Sequence, residues 1–176
     1  MAAGHKTTAA DAVRAYVQAL LKSKNRTFIK MPREMWPDDW EKKGYKNPVV
    51  LLVRALYGHP EAGAHWEDHL TAILKKLGGT SLLSHPSTFW FKEKKMLLTV
   101  YVDDLMLSGP ERHHEDFWKE LVKEVNIEEP EALDRFLGRY HTIDEISAPA
   151  IDVREFFTPE EKPTPQVAQV HCVGVS

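Results

Sequence analysis

The sequence holds one cysteine, Cys172, so no disulfide can form within the chain. It has no apolar run long enough to cross a bilayer. The opening Met1-Ala-Ala-Gly-His-Lys6 lacks a hydrophobic segment of signal-peptide type. These absences lead to the expectation of a reducing, intracellular setting, cytoplasmic or nuclear, with no membrane partner. No glycine-rich phosphate loop and no internal repeat are present, which excludes the P-loop and solenoid classes. Net charge is only −3, too small to argue for or against a polyanionic partner.

What is present suits one globular domain: 176 residues, 43% hydrophobic and 28% charged, enough to bury a core. The charge is unevenly spread. Residues 1–48 carry ten Lys and Arg against five Asp and Glu, whereas residues 110–176 carry seven against fifteen. A basic first third can track phosphates; Lys22, Lys24 and Arg26 can equally form an ordinary solvated face.

Apolar residues at helical spacing predict a helix over Asp11–Leu21, through Val13, Val17, Leu20 and Leu21. Before it, Lys6–Ala10 is a weak strand sequence. A short strand is expected around Phe28 and Ile29, then an irregular Pro- and Trp-rich loop over 31–46. Val49–Val53 is a compact apolar run. Ala62–Leu77 predicts a second helix, striped by Trp66, Leu70, Ile73, Leu74 and Leu77 and stopped by Gly78-Gly79. Thr88–Phe91 and Met96–Val102 predict strands joined by a turn, and Leu105–Leu107 a third strand ended by Ser108-Gly109-Pro110. Glu115–Val125 predicts an amphipathic helix and Leu133–Ile143 a final hairpin. From residue 147 the text becomes rich in Pro and charge with little periodicity, so a domain over 1–146 and a disordered or loosely packed tail over 147–176 are expected. Helices mixed with hairpins imply an α+β sheet with helices on one face.

The chemistry concentrates in Met96–Ser108, where two apolar strands flank Asp103-Asp104. Adjacent carboxylates at the tip of a hairpin repel, raise one another's pKa and suit a divalent cation such as Mg²⁺, which takes few carboxylates and keeps water. A plain Asp-Asp turn is the alternative.

Tyr101-Val-Asp-Asp104 between hydrophobic strands resembles the reverse transcriptase signature, and the ordered segments around it resemble the copia-type retrotransposon branch. Asp11-Ala-Val-Arg-Ala-Tyr16 resembles that family's first catalytic motif. Ala55-Leu-Tyr-Gly58, with Ala62 and Trp66 after it, resembles its leucine-tyrosine-glycine motif and following helix. Phe89-Trp-Phe91 also fits, and Phe136-Leu-Gly138 resembles its primer-terminus element. The match runs from about Asp11 to Ile143. The resemblance implies a palm-like antiparallel sheet and RNA-directed DNA synthesis by two-metal nucleotidyl transfer. Mg²⁺, or Mn²⁺ in its place, would be held by Asp11, Asp103, Asp104 and the Ala12 carbonyl. Tyr16 would lie under the nucleotide sugar as a steric gate, and Glu61 near the nucleotide. Tyr101 would pack on the primer end, and Phe136, Leu137 and Gly138 would grip the primer backbone. Template-primer, dNTP and other polyprotein segments are the implied partners.

Four departures from the family pattern point to a weak or inactive isolated chain. Fingers residues are missing upstream of Asp11, and the thumb and RNase H parts are missing downstream. Glu61 stands where the family has glutamine, and Lys6–Ala10 is poor for a central strand. An inert α+β module that binds nucleic acid or protein is the alternative function.

Individual residues also have plainer uses. Asp11 can cap the helix after it, and Tyr16 can be a core aromatic. His65 and His69, four apart, can share zinc with Asp68 or Glu61, or simply sit exposed. His113-His114 is expected at the surface. Trp36 and Trp40 can stack on bases or pack under their loop.

Overall fold

The computed structural model describes residues 4–137, 139–142 and 174–175. The fold is mixed α/β with antiparallel strand pairing, in agreement with the expected class at that level. In chain order the elements are β1 (His5–Asp11), α1 (Ala15–Gln18), β2 (Phe28–Lys30), α2 (Asp38–Lys42), β3 (Val49–Leu51), α3 (Ala62–Lys76) and β4 (Thr80–Leu82). They continue with β5 (His85–Phe91), β6 (Met96–Tyr101), β7 (Asp104–Pro110), α4 (His114–Val122), β8 (Glu131–Ala132), β9 (Arg135–Phe136), β10 (Arg139–Thr142) and β11 (Gly174–Val175).

Six strands form one sheet in the order β4-β5-β6-β7-β1-β8. The β6–β7 hairpin supplies its apolar centre. Leu98 faces Leu107, and Val100 faces Leu105. In the next rows Thr8 faces Leu107, Ala10 faces Leu105, Phe89 faces Leu98 and Phe91 faces Met96. Since opposed residues share a face, these side chains make one buried layer. It is covered by Trp66, Leu70, Ile73 and Leu74 of α3 and by Phe117, Trp118 and Leu121 of α4. The other face carries Thr7, Ala9 and Asp11, then Asp104, Met106 and Ser108, then Leu97, Thr99 and Tyr101. None of these is buried.

The helix over Ala62–Lys76 forms where its stripe predicts. Lys75 and Lys76 complement the C-terminal end of the dipole. Gly78, at φ 91°, and Gly79 return their N–H groups to the carbonyls of Lys75 and Leu74, at 3.0 and 2.9 Å, which closes the helix in a Schellman turn. Glu115–Val125 forms as a helix over His114–Val122.

Three expectations are corrected. The helix expected over Asp11–Leu21 is reduced to the single turn Ala15–Gln18. The chain is still strand at Asp11, Ala12 bridges Ile127, and Arg14 turns the backbone at φ 53°. Asp11 therefore caps no helix: Arg14 holds the N-cap position. The weak sequence Lys6–Ala10 is a central strand because β7 and β8 pair with it from both sides. The third strand runs on past Leu107 to Pro110, since His5, Lys6 and Thr7 pair with Pro110, Gly109 and Ser108. A side chain at Gly109 would meet Met96 at 2.7 Å, so the close approach there requires glycine.

The Pro- and Trp-rich segment is not wholly irregular: it holds a 3₁₀ turn at Arg33–Met35 and then α2. Trp36, Trp40 and Tyr45 pack on one another there, with ring centroids 6.2 and 5.8 Å apart. The final hairpin forms as β9 and β10; Ile143 and the expected disordered tail, apart from β11, lie outside the described residues.

Candidate active site

The β6–β7 hairpin closes through a two-residue turn, Val102-Asp103, because Tyr101 pairs directly with Asp104. The right-handed strand twist demands a turn with positive φ at its first residue, a place usually given to glycine. Val102 takes that conformation at φ 54°. At the neighbouring edge, β1 ends with Asp11 opposite Asp104. The Ala12 N–H donates to the Asp103 carbonyl at 2.7 Å and locks the end of β1 to the turn. On the far side, the Glu128 N–H donates to the Asp11 carbonyl at 2.8 Å, and the Val13 N–H donates to the Asn126 carbonyl at 2.9 Å.

Asp11 and Asp104 thus meet at one end of the open sheet face, with Asp103 next to them in the turn. The Asp104 carboxyl is held above the ordinary carboxylate range, first by burial, then by the charges of Asp11 and Asp103, and by a hydrogen bond with Asp11. Of the two hairpin acids, Asp104 is the one in register with Asp11. No three His, Cys, Asp or Glu side chains among the described residues converge closely enough to enclose an ion by themselves. Mg²⁺ does not need such a cage: one or two carboxylates, with water and substrate phosphate, complete its shell. Two carboxyls within hydrogen-bonding reach, one of them driven toward protonation, fit a shared cation as donors.

The remaining site candidates lie at different distances from this group. Tyr16 stands on α1 with its ring 4.5 Å from that of Tyr57. It lines a cavity of about 280 Å³ together with Trp66, Tyr101 and Val102. Tyr101 is 59% exposed at the hairpin tip, where a stacking partner can reach it. Glu61 precedes α3, accepts a hydrogen bond from the Ser23 hydroxyl and lies 3.8 Å from His65 Nε2. Phe136 is buried and Leu137 half exposed, on the β9–β10 hairpin outside the six-stranded sheet; Gly138 lies outside the described residues.

Among the described residues His65 and His69 form no metal-holding cluster with Asp68 or Glu61; His65 faces Glu61 and Ser23, and the His69 ring lies 6.0 Å from Trp66. His114, expected at the surface, is 1% exposed. It is enclosed because β7 runs on to Pro110 and brings the start of α4 against β1.

Two supporting residues stand behind the site: Gln18, which carries no sequence signal, and Trp66, expected only as part of the helical stripe and the family motif. The Gln18 side chain donates to the carbonyls of Val13 and Asn126 at 2.8 and 2.9 Å, and accepts from the Asn126 N–H at 2.8 Å. It clamps the segment after Asp11. Trp66 donates its indole N–H to the Val102 carbonyl at 2.6 Å.

A profile of the family described as reverse transcriptase (RNA-dependent DNA polymerase) matches residues 4–156. The chain belongs to the reverse transcriptase family. The resemblance read from the motifs therefore holds at family level. The putative transposon Ty5-1 protein of Saccharomyces cerevisiae is 31% identical over 101 residues, 53% of this reverse transcriptase chain and 32% of that relative. The aligned part thus spans about a third of the curated relative's length. No helix among the described residues is long and apolar enough to cross a membrane.

Proposed function

We propose that this chain carries the nucleotidyl-transfer centre of a copia-type retrotransposon reverse transcriptase, on a palm-like sheet, within a longer polyprotein. One observation carries the reading: Asp11 and Asp104, remote in sequence, face each other across paired strands at the open end of the sheet. The Asp104 carboxyl is destabilised there as an anion. Such crowding is costly for a structural turn and useful for a cation site.

Asp11, Asp103 and Asp104 hold the divalent ions, with the Ala12 carbonyl as a further oxygen donor. Mg²⁺, or Mn²⁺ in its place, supplies the charge that activates the primer 3′-hydroxyl and offsets the leaving pyrophosphate. The protein's own work is positioning. Tyr16 sits below the sugar and excludes a 2′-hydroxyl. Tyr101 packs on the primer end. Phe136, Leu137 and Gly138 hold the primer backbone. Glu61, engaged by Ser23 and close to His65, lies near the nucleotide.

A second reading, an inert module that binds nucleic acid or protein, has one observation in its favour. Beside Asp11 runs a cleft of about 290 Å³ lined by Asp11, Glu128, Glu129, Glu131 and Asp134. That much negative charge repels a phosphate backbone, so within this reading it favours a protein partner over nucleic acid. For the same reason, synthesis by the chain alone is expected to be weak.

Mn²⁺ binding followed by electron paramagnetic resonance, together with RNA-templated primer extension, tests the proposal. Binding is expected in the native chain and lost in Asp11→Asn and Asp104→Asn, and any extension is expected to vanish in Asp103→Asn. Binding unaffected by these substitutions would refute the cation site. Nucleic-acid retention without binding of the ion would favour the inert module.

A further inference from the structure

Val102 is β-branched and sits at φ 54°, a region such side chains avoid. Asp103 is not among the positive-φ residues, so the turn is the two-residue class with positive φ at its first position only. Rotation of the central peptide, the one between Val102 and Asp103, converts that turn into its sister class and re-aims the Asp103 side chain. The carbonyl of that peptide is the Val102 oxygen.

Trp66 holds it. The ring is 2% exposed in the layer between α3 and the sheet, and the indole N–H is its one polar group. That N–H donates to the Val102 carbonyl at 2.6 Å. The next carbonyl, of Asp103, accepts from the Ala12 N–H at 2.7 Å. The two turn carbonyls are thus pinned from opposite sides, one by α3 and one by the end of β1.

We propose that Trp66 is a positioning residue of the active site: its indole hydrogen bond sets the central peptide of the Val102–Asp103 turn and thereby the direction of the Asp103 carboxylate. The cation-binding consequence rests on the function proposed above; the effect on the turn does not. Burial alone does not explain the residue, because phenylalanine fills most of the same layer and lacks the donor.

The test uses the full chain and three variants: Trp66→Phe, Trp66→Phe with Val102→Gly, and Leu70→Ala. Without added metal, the Trp66 indole N–H is expected to exchange with solvent far more slowly than that of Trp90, which is 38% exposed. In Trp66→Phe the Val102 and Asp103 amide resonances are expected to double or broaden. Mn²⁺ affinity is expected to fall about tenfold or more, the usual effect of losing a group that orients a ligand. The added Val102→Gly restores both, since glycine adopts the turn without help. Leu70→Ala shortens a side chain one helical turn along the same stripe. It is expected to lower the melting temperature and leave Mn²⁺ affinity of the folded protein unchanged.

The inference is overturned if the Trp66 indole exchanges as fast as that of Trp90. A single sharp set of turn resonances with native affinity in Trp66→Phe also overturns it, as does an equal loss of affinity in Leu70→Ala, or a double variant no better than the single one. If the native chain binds no Mn²⁺, the proposed function fails, while indole exchange and the turn resonances still decide what Trp66 does.

Discussion

At Asp104, burial and the charges of Asp11 and Asp103 act in the same direction and favour the protonated carboxyl. The folded chain therefore keeps this proton to higher pH than the unfolded chain, whose Asp titrates near 4. Stability is lost as pH rises from that value through the raised folded one. Asp104→Asn removes this dependence. In metal-free buffer at pH 7 the variant is expected to melt higher than the native protein, by no more than about 1 kcal/mol after solvent screening. Added Mn²⁺ is expected to raise the melting temperature of the native chain and leave the variant unmoved. Thermal melts from pH 4 to 8, with and without the ion, measure both; a variant less stable at pH 7 would contradict the electrostatic account.

At the scale of elements, the joint between β1 and α4 is a chain of buried hydrogen bonds. Trp118 donates to the Thr8 hydroxyl at 2.9 Å, and that hydroxyl lies 2.9 Å from His114 Nδ1. His114 Nε2 faces the Gly109 carbonyl at 3.2 Å. The arrangement is complete when His114 is neutral, with its proton on Nε2 and Nδ1 accepting from Thr8. Its pKa is lowered, first by burial; Lys6 and His5 act the same way, while the Gly109 bond and Glu111 oppose them. The unfolded histidine, near 6.5, takes up the proton first. The stability this joint contributes is therefore present above that pH and lost as pH falls from about 6.5 toward the lowered folded value. His114→Leu is expected to flatten this window. It is also expected to cost about 1–3 kcal/mol at pH 7.5 by leaving the Thr8 hydroxyl proton without its acceptor in a buried place. Denaturant unfolding at several pH values reads both effects.

Across the described residues, one core joins α3 and α4 to one face of the sheet. Phe117 is central to it: fully buried, and edge-on to Phe91 with centroids 4.8 Å apart. Phe117→Ala is expected to cost about 3–5 kcal/mol, a large share of a domain's stability. The ion pair between Lys76 and Glu124, 2.5 Å apart, spans the same two parts of the chain, but both partners are well exposed. Lys76→Ala is expected to change stability by less than about 1 kcal/mol. If denaturant unfolding gave comparable losses for the two variants, packing would not be the dominant link between α3 and the α4 end of the core.

The hairpin, α3 and α4 were legible in the sequence because each repeats its apolar residues at the period of its own geometry. Leu98, Leu105 and Leu107 alternate as a strand requires, and Trp66, Leu70, Ile73 and Leu74 fall on one helical stripe. That pattern also fixes which side of the hairpin is buried, and so that Asp104 lies on the open side. Val13, Val17, Leu20 and Leu21 have the same helical spacing and yet only one turn forms, because strand pairing through Asp11 and the Ala12–Ile127 bridge hold the segment extended. β1 was only weakly legible for the opposite reason: Thr7, Thr8, Ala9 and Ala10 have little drive of their own and become a strand through two neighbours. The enclosure of His114 and the Trp66–Val102 bond belong to the tertiary structure alone, and the meeting of Asp11 with Asp104 was implied only by the family resemblance, not by any local pattern. Each joins residues far apart in the chain, and no local period records which distant backbone will supply a partner.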